Sequence, residues 1–267
     1  MTVSYKPTQD KVGLIRMIRR SINGLGSQRR CCICEKTFYK YSKYRGGWNA
    51  VSSYLKQLDW TGSDFDNFWC PFCRSHDRER HLKLYFDALN FWDRFNDAEI
   101  LHIAPEKHIS HAIASCNPKR YVKGDLSPAH VDICQVDVTD IKEPDKTFDV
   151  VICNHVLEHV PDDKKALSEL YRVLKPGGTA ILQTPYATKL VETRERDPSV
   201  ATEANRLEFY GQEDHIRLYG MDLLDRICEA GFDLRFQTHE AVLKNVDCAE
   251  AGVNSAEPLF YAHKSTI

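Results

Sequence analysis

The chain has 267 residues, 42% hydrophobic and 28% charged, with a formal net charge of -2. Such a composition excludes disorder and collagen-like architecture, and a chain of this length can bury one large core with a smaller attachment. Every apolar run falls short of the roughly 20 residues that cross a bilayer, and the N-terminus has no secretory signal pattern, so a cytoplasmic location is expected.

Basic character is local: the first 30 residues hold seven Lys or Arg against one acid. Within them, KVGLIRMIRRSI (11–22) places Leu14, Ile15, Ile18 and Ile22 on one helical face and Arg16, Arg19 and Arg20 on the other. The expectation is a helix packed on its own protein, with peripheral membrane contact as the alternative. Residues 31–75 form a second unit, bounded by CCIC and WCPFC and rich in aromatics between them. A connecting helix is expected over 76–97, with Leu82, Tyr85, Phe86 and Leu89 at helical spacing.

From residue 98 to 267 strand-like and helix-like segments alternate. The expected strands are 99–103, 120–124, 133–137, 148–153, 179–183, 233–238 and 258–264. Ala166, Leu167, Leu170, Tyr171 and Leu174 draw a helical stripe that should end at the glycines of KPGG, and a second helix over 222–230 should end at Gly231. Near-continuous apolar strands such as FDVVIC separated by helices imply a doubly wound α/β fold with a mostly parallel seven-stranded sheet, whose ligands bind beyond the carboxyl ends of the strands.

Cys31 and Cys34, then Cys70 and Cys73, make two Cys-x-x-Cys knuckles. Each can aim two thiolates at one ion, and four thiolates complete the tetrahedron of a structural zinc. Cys32 is a rival for Cys31, and buried free thiols or a redox pair are the alternatives.

In an open α/β sheet an acid at the end of the second strand, about 20 residues past the first strand-helix turn, holds a ribose. Asp125 occupies that place, 19 residues after Glu106; its plainer reading is a turn former before Ser127 and Pro128. Asp137 ends the third strand, with Asp140 as the competing acid. Asn154 and His155 stand where the fourth strand leaves the sheet, a placement that suits a ligand.

These residues carry a resemblance. FDVVICNHVLEHV and LSELYRVLKPGGTAILQTP, together with GDLSP and VDVTD in that order, resemble a class I S-adenosylmethionine-dependent methyltransferase. CPFCRSHDRERH, LHIAPE and GQEDHIRLYG are similar to a bacterial subgroup with an N-terminal cysteine module. The resemblance implies that Asp125 binds the ribose, Asp137 and neighbouring Val138 the adenine end, and Asn154 with His155 the methionine end, while His159 supports the loop. One departure stands out: where the family has a glycine-rich turn, this chain has HIAPE. Ala104 and Glu106 add Cβ atoms and Pro105 removes a donor. Either the turn binds the cofactor in a modified way, with Glu106 or His102 supplying contacts, or the site is degenerate.

Methyl transfer needs alignment and, for a hydroxyl acceptor, a base. His215, beside Glu213 and Asp214, is the first candidate base, and His155 the second. The preceding stretch, 188–210, has no clear period and reads as a mobile lid or a solvated loop. The expected activity is methyl transfer to a small-molecule or glycan acceptor. RNA methylation, with YKYSKYRGGW stacking on bases, and a non-catalytic assembly role are the alternatives.

Overall fold

The structure, a computed structural model, describes residues 24–266. The basic segment 11–22, and any membrane contact it would make, lies outside the described residues. Among those described, no helix is long and apolar enough to cross a membrane.

The cysteine-rich unit opens with β1 (Arg29–Arg30) and β2 (Thr37–Phe38), an antiparallel pair that sets up the first knuckle. A short α1 (Ser53–Gln57), capped by Ser52 Oγ accepting from Leu55 N–H, leads into β3 (Trp60–Thr61). Then comes α2 (Asp77–Ala88), which buries Leu82, Tyr85 and Phe86.

The main sheet begins with β4 (Glu99–Ile103), followed by α3 (Lys107–Ala114), β5 (Arg120–Asp125), β6 (Cys134–Gln135) and β7 (Phe148–Cys153). After α4 (Asp163–Val173) come β8 (Leu174–Ile181), β9 (Tyr186–Ala187), β10 (Arg194–Glu195), α5 (Glu203–Tyr210), β11 (Arg217–Leu218) and α6 (Leu223–Glu229). The chain then forms β12 (Asp233–Gln237), α7 (His239–Leu243), α8 (Cys248–Ala251) and β13 (Leu259–His263).

Seven strands lie in the order β12-β13-β8-β7-β4-β5-β6. All neighbours are parallel except β13, which runs antiparallel to both β12 and β8. The expected doubly wound, mostly parallel seven-stranded sheet is therefore the observed one. Strand order reverses between β4 and β7, and a crevice opens beyond their carboxyl ends. One face packs against α4 and α6 through Leu167, Leu170 and Ile227; the other buries Phe86, Ile109, Ile113 and Leu243 of α2, α3 and α7. Burial on both faces explains why FDVVIC reads as a continuous apolar run.

Three local expectations need correction. The third strand is only Cys134–Gln135, at the sheet edge, rather than 133–137. The fifth starts at Leu174 rather than at residue 179, and ends at Ile181. KPGG is a bulge inside it, since the register shifts between Phe148–Leu174 and Val150–Thr179. Gly177, at φ 78°, shapes that bulge and donates its N–H to Lys264 O, so α4 ends at Val173 without a glycine cap. Residues 188–210, expected as a mobile lid or a solvated loop, hold more regular structure than either reading implies, although most of their side chains are exposed. They contain β10 and α5, and Leu190, Val200 and Tyr210 pack with Val51, Leu55 and Trp60 of the cysteine-rich unit. Their elements are too short to show a period.

That unit is thus wedded to the sheet domain. β3 pairs antiparallel with β9, and α2 is a covering helix of the sheet as well as a connector.

Candidate active site and cysteine centre

The turn after β4 is built around a non-glycine residue in a left-handed conformation, Ala104 at φ 49°. Its N–H donates to Gly124 O at 2.7 Å, extending the ladder to β5, and Pro105 has no N–H to give. Neither residue offers a ligand a backbone donor. A side-chain network stabilises the turn instead. Glu106 Oε2 lies 2.7 Å from His102 Nε2, and Glu106 Oε1 accepts from Asn154 Nδ2 at 3.2 Å. Burial works to raise the Glu106 pKa, but the hydrogen bond and charge of His102 outweigh it and hold the carboxyl at about 2.

Glu79 of α2 spans two helix starts, accepting from its own helix at His76 N–H (3.1 Å) and from α3 at His108 N–H (2.8 Å). A carboxylate there complements both helix dipoles.

Asn154 and His155 leave β7 at the switch point. Asn154 Oδ1 accepts from Gln183 N–H at 3.3 Å, and His155, at φ 53°, donates its N–H to Gln183 O at 2.6 Å. The exits of β7 and β8 are thereby tied together. The His155 ring is held between two buried carboxylates, with Nδ1 3.6 Å from Glu158 Oε1 and Nε2 3.4 Å from Glu257 Oε1. Burial and the Arg78 charge act to lower its pKa, yet the two glutamates prevail and raise it. Both carboxyls, which burial would push up, are held at about 2 by the histidines beside them.

These groups border a narrow cleft lined by Glu106, Asn154, His155, Gln183 and Glu257 together with Arg78, His81, Leu82 and Tyr85 of α2. Sequence reasoning named Glu106, Asn154 and His155 but missed Arg78, His81, Gln183 and Glu257. The available signal was the polar run RSHDRERH at helix spacing; nothing local marked Glu257, which arrives from a distant segment.

At the outer end of the crevice, Asp125 Oδ1 accepts from Ser127 N–H at 2.8 Å. Asp137 Oδ1 accepts from both Thr139 N–H (2.8 Å) and Thr139 Oγ (2.7 Å), bonds that lower its pKa. Each acid therefore shapes a turn with one oxygen. Val138 is buried in the core beside them.

His215 is 1% exposed and lies behind Glu158, outside the cleft lining. Its Nδ1–H donates to Tyr210 O at 2.8 Å, so Nε2 carries the lone pair and accepts from Gln212 Nε2 at 3.0 Å. Burial lowers its pKa despite the opposing charge of Glu158. The expected arrangement, His215 oriented by Glu213 and Asp214, is not the observed one: Glu213 pairs with Arg45, and the Asp214 carboxylate lies against His159. Ile216 N–H donates to Glu158 O, which pins the loop in this pose.

The four cysteines named in sequence converge. Cys31 and Cys73 sulfurs are 3.8 Å apart, as are those of Cys34 and Cys70, and all four lie within 4.8 Å of one another. A tetrahedron of ~2.3 Å zinc–sulfur bonds has edges of about 3.8 Å. Cys32 points elsewhere, its thiol donating to Arg80 O, and burial pushes its pKa up to about 12.

Residues 106–182 match the family model of a methyltransferase domain. The matched stretch runs from the HIAPE turn to the end of β8 and takes in Asp125, Asp137, Val138, Asn154 and His155, but neither the cysteines nor residues 211–220. The chain is similar to a demethylmenaquinone methyltransferase of Listeria monocytogenes, 34% identical over 79 residues, which cover 28% of this chain and 33% of that one. It is also similar to a demethylmenaquinone methyltransferase of Geobacillus, 41% identical over 61 residues covering 22% and 26%. It thus spans a third or less of these relatives. A solved S-adenosylmethionine-dependent methyltransferase from Mesorhizobium loti is 14% identical, with a TM-score of 0.47 over 68% of this chain and 98% of that one.

Proposed function

We propose that this protein binds S-adenosylmethionine and transfers its methyl group to a small-molecule or carbohydrate acceptor, through a hydroxyl. The observation that carries the reading is coincidence: the stretch matching a methyltransferase domain is the stretch whose polar residues converge at the reversal between β4 and β7. The donor set suits the cofactor. Asp125 and Asp137 each keep an oxygen for the ribose and the adenine amine, with Val138 behind them. Glu106 and Glu257 offer anionic oxygens to the methionine ammonium, Arg78 a cation to its carboxylate, and Asn154 an amide between them. Ala104, small and left-handed, keeps the turn low. When bound, the cofactor supplies an electrophilic methyl group.

The chain's own task is then to align the acceptor and take its proton. Of the two histidines considered as base, His155 borders the cleft and His215 does not, which favours the His155–Glu257 pair. A replacement of His155 by Gln should lower turnover by more than it lowers cofactor affinity, since the ring is read both as base and as a neighbour of the methionine end.

Aromatic placement takes away part of the surface that an RNA acceptor would use. Tyr41 is buried, Tyr44 packs on Phe65 and Phe68, and Arg45 is engaged by Glu213. Tyr41 and Tyr44 therefore serve the unit's own core, whereas Tyr39 and Trp48 of YKYSKYRGGW are exposed, so about half of the aromatic surface invoked for base stacking is committed to packing.

The sulfur cage supports a structural zinc held by Cys31, Cys34, Cys70 and Cys73, with no position left for substrate. About one zinc per chain is expected by elemental analysis, lost in Cys34→Ser. Calorimetric titration with S-adenosylmethionine tests the main reading: saturable binding, weakened at least tenfold in Asp125→Ala, is expected. No binding by folded wild type would leave the non-catalytic role standing.

A further inference from the structure

Behind the cleft, the loop after β7 and the loop before β11 bring together one carboxylate and two imidazoles, from Glu158, His159 and His215. One ligand atom from each lies within 4.8 Å of the other two. We propose that these three side chains bind a divalent transition-metal ion, separately from the four-cysteine cage.

The first argument is an orphaned atom. Glu158 is 1% exposed, and its Oε1 has no hydrogen-bond partner although its Oε2 accepts from Thr184 Oγ at 2.8 Å. A buried carboxylate oxygen without a donor is unfavourable by roughly 1–3 kcal/mol or more. Two ring nitrogens approach it, His155 Nδ1 at 3.6 Å and His215 Nε2 at 3.9 Å, both too far for a normal hydrogen bond.

The second argument is how the imidazoles are oriented. His215 Nδ1–H donates to Tyr210 O, and His159 Nδ1 faces Asp214 O at 3.2 Å. A carbonyl can only accept, so each neutral ring keeps its proton on Nδ1 and has its lone pair on Nε2; at His215 that lone pair takes an N–H from Gln212 Nε2 at 3.0 Å, a bond that metal binding would replace. Fixing the far nitrogen to a backbone carbonyl is how metal-binding histidines are held, and Thr184 does the same for the carboxylate. Bond lengths of about 2.0–2.2 Å to nitrogen and oxygen need only a modest contraction of the two loops. Two histidines and one carboxylate leave coordination positions open, and His159, about one-third exposed, marks the solvent side. Borderline-soft nitrogen donors select zinc, cobalt or nickel over calcium, with manganese expected to bind more weakly.

This site does not depend on the methyl-transfer reading, and its test reads metal rather than activity. Full-length protein is dialysed in turn against Zn2+, Mn2+, Co2+ and Ni2+, and total bound metal is counted by elemental mass spectrometry. Wild type should hold one equivalent more than His159→Ala or Glu158→Gln for at least one ion, with affinity at least tenfold weaker in each variant. His159 is partly exposed, so its variant should fold normally, as circular dichroism would verify. Cys34→Ser should lose a different equivalent and keep this one. Equal metal content in wild type and both variants for all four ions would overturn the proposal.

Discussion

Ala104 and Glu106 carry the departures that make this turn unusual. A left-handed φ is unfavourable for an L-residue by roughly 1–2 kcal/mol, a penalty that glycine escapes. Ala104→Gly should therefore stabilise the protein by about 0.5–1 kcal/mol after the added unfolded-state entropy is counted, measured by denaturant unfolding. Glu106 behaves differently with pH. Its folded pKa, about 2, lies below the unfolded value of 4.5. Its stabilisation is therefore complete above pH 4.5 and is lost as pH falls through 2. In denaturation midpoints followed across that window, Glu106 should contribute a loss on the order of 3 kcal/mol, alongside Glu158 and Glu257, which titrate over the same range, so the comparison between wild type and variant isolates its share. Glu106→Gln, already less stable at neutral pH, should show a shallower decline.

At the scale of elements, α2 organises the molecule more than its role as a connector suggests. Arg80, fully buried, donates to Phe68 O (3.2 Å), Ser75 O (2.7 Å) and Asn67 O (2.5 Å) near the second knuckle. It also donates to Ala251 O (3.0 Å) and Gly252 O (2.6 Å) at the end of α8, while its guanidinium sits 4.1 Å from the Tyr41 ring centre. A planar fork of five donors satisfies carbonyls from three segments that have no sheet or helix partner. Ser75 O also accepts from Cys70 N–H and Ala251 O from the Tyr41 hydroxyl, so Arg80→Met keeps the volume but strands the Asn67, Phe68 and Gly252 carbonyls, and unfolding free energy should fall by about 3 kcal/mol. Arg80→Lys should recover only part of it, because one ammonium cannot reach both sides. The same helix sends Arg78 and His81 into the cleft and Glu79 to the start of α3, so its position bears on the site directly.

Across the whole molecule, the cysteine-rich unit and the sheet domain share a β3–β9 pair, an apolar cluster around Trp60 and Leu55, and the Arg80 contacts. Units joined that way unfold together. Calorimetry of metal-replete protein should show one cooperative transition rather than two, and Cys34→Ser should lower that transition instead of splitting off an early one. Two separated peaks would show that the interface is weaker than its contacts imply.

Much of the architecture was legible along the chain because it rests on local periodicity. Apolar strands of five or six residues and stripes at helical spacing lead to the observed kind of sheet, and paired knuckles lead to four converging sulfurs. Asp125, Asp137, Asn154 and His155 were legible as candidates because strand ends in such a sheet have a fixed relation to its crevice. What the chain could not announce was which distant side chains meet there. Glu257 precedes the last strand, Arg78 and His81 ride on α2, and only packing brings them to His155. His215 shows the converse: its acidic neighbours in sequence point to other partners, while the carboxylate it approaches, Glu158, lies 57 residues away. Sequence by itself determined most elements of the main sheet and the edge of it where a ligand belongs, since both follow from local periodicity and handedness. Tertiary structure alone decided the charge state of the cleft and the contents of the buried cluster behind it, because burial and electrostatics depend on distance in space.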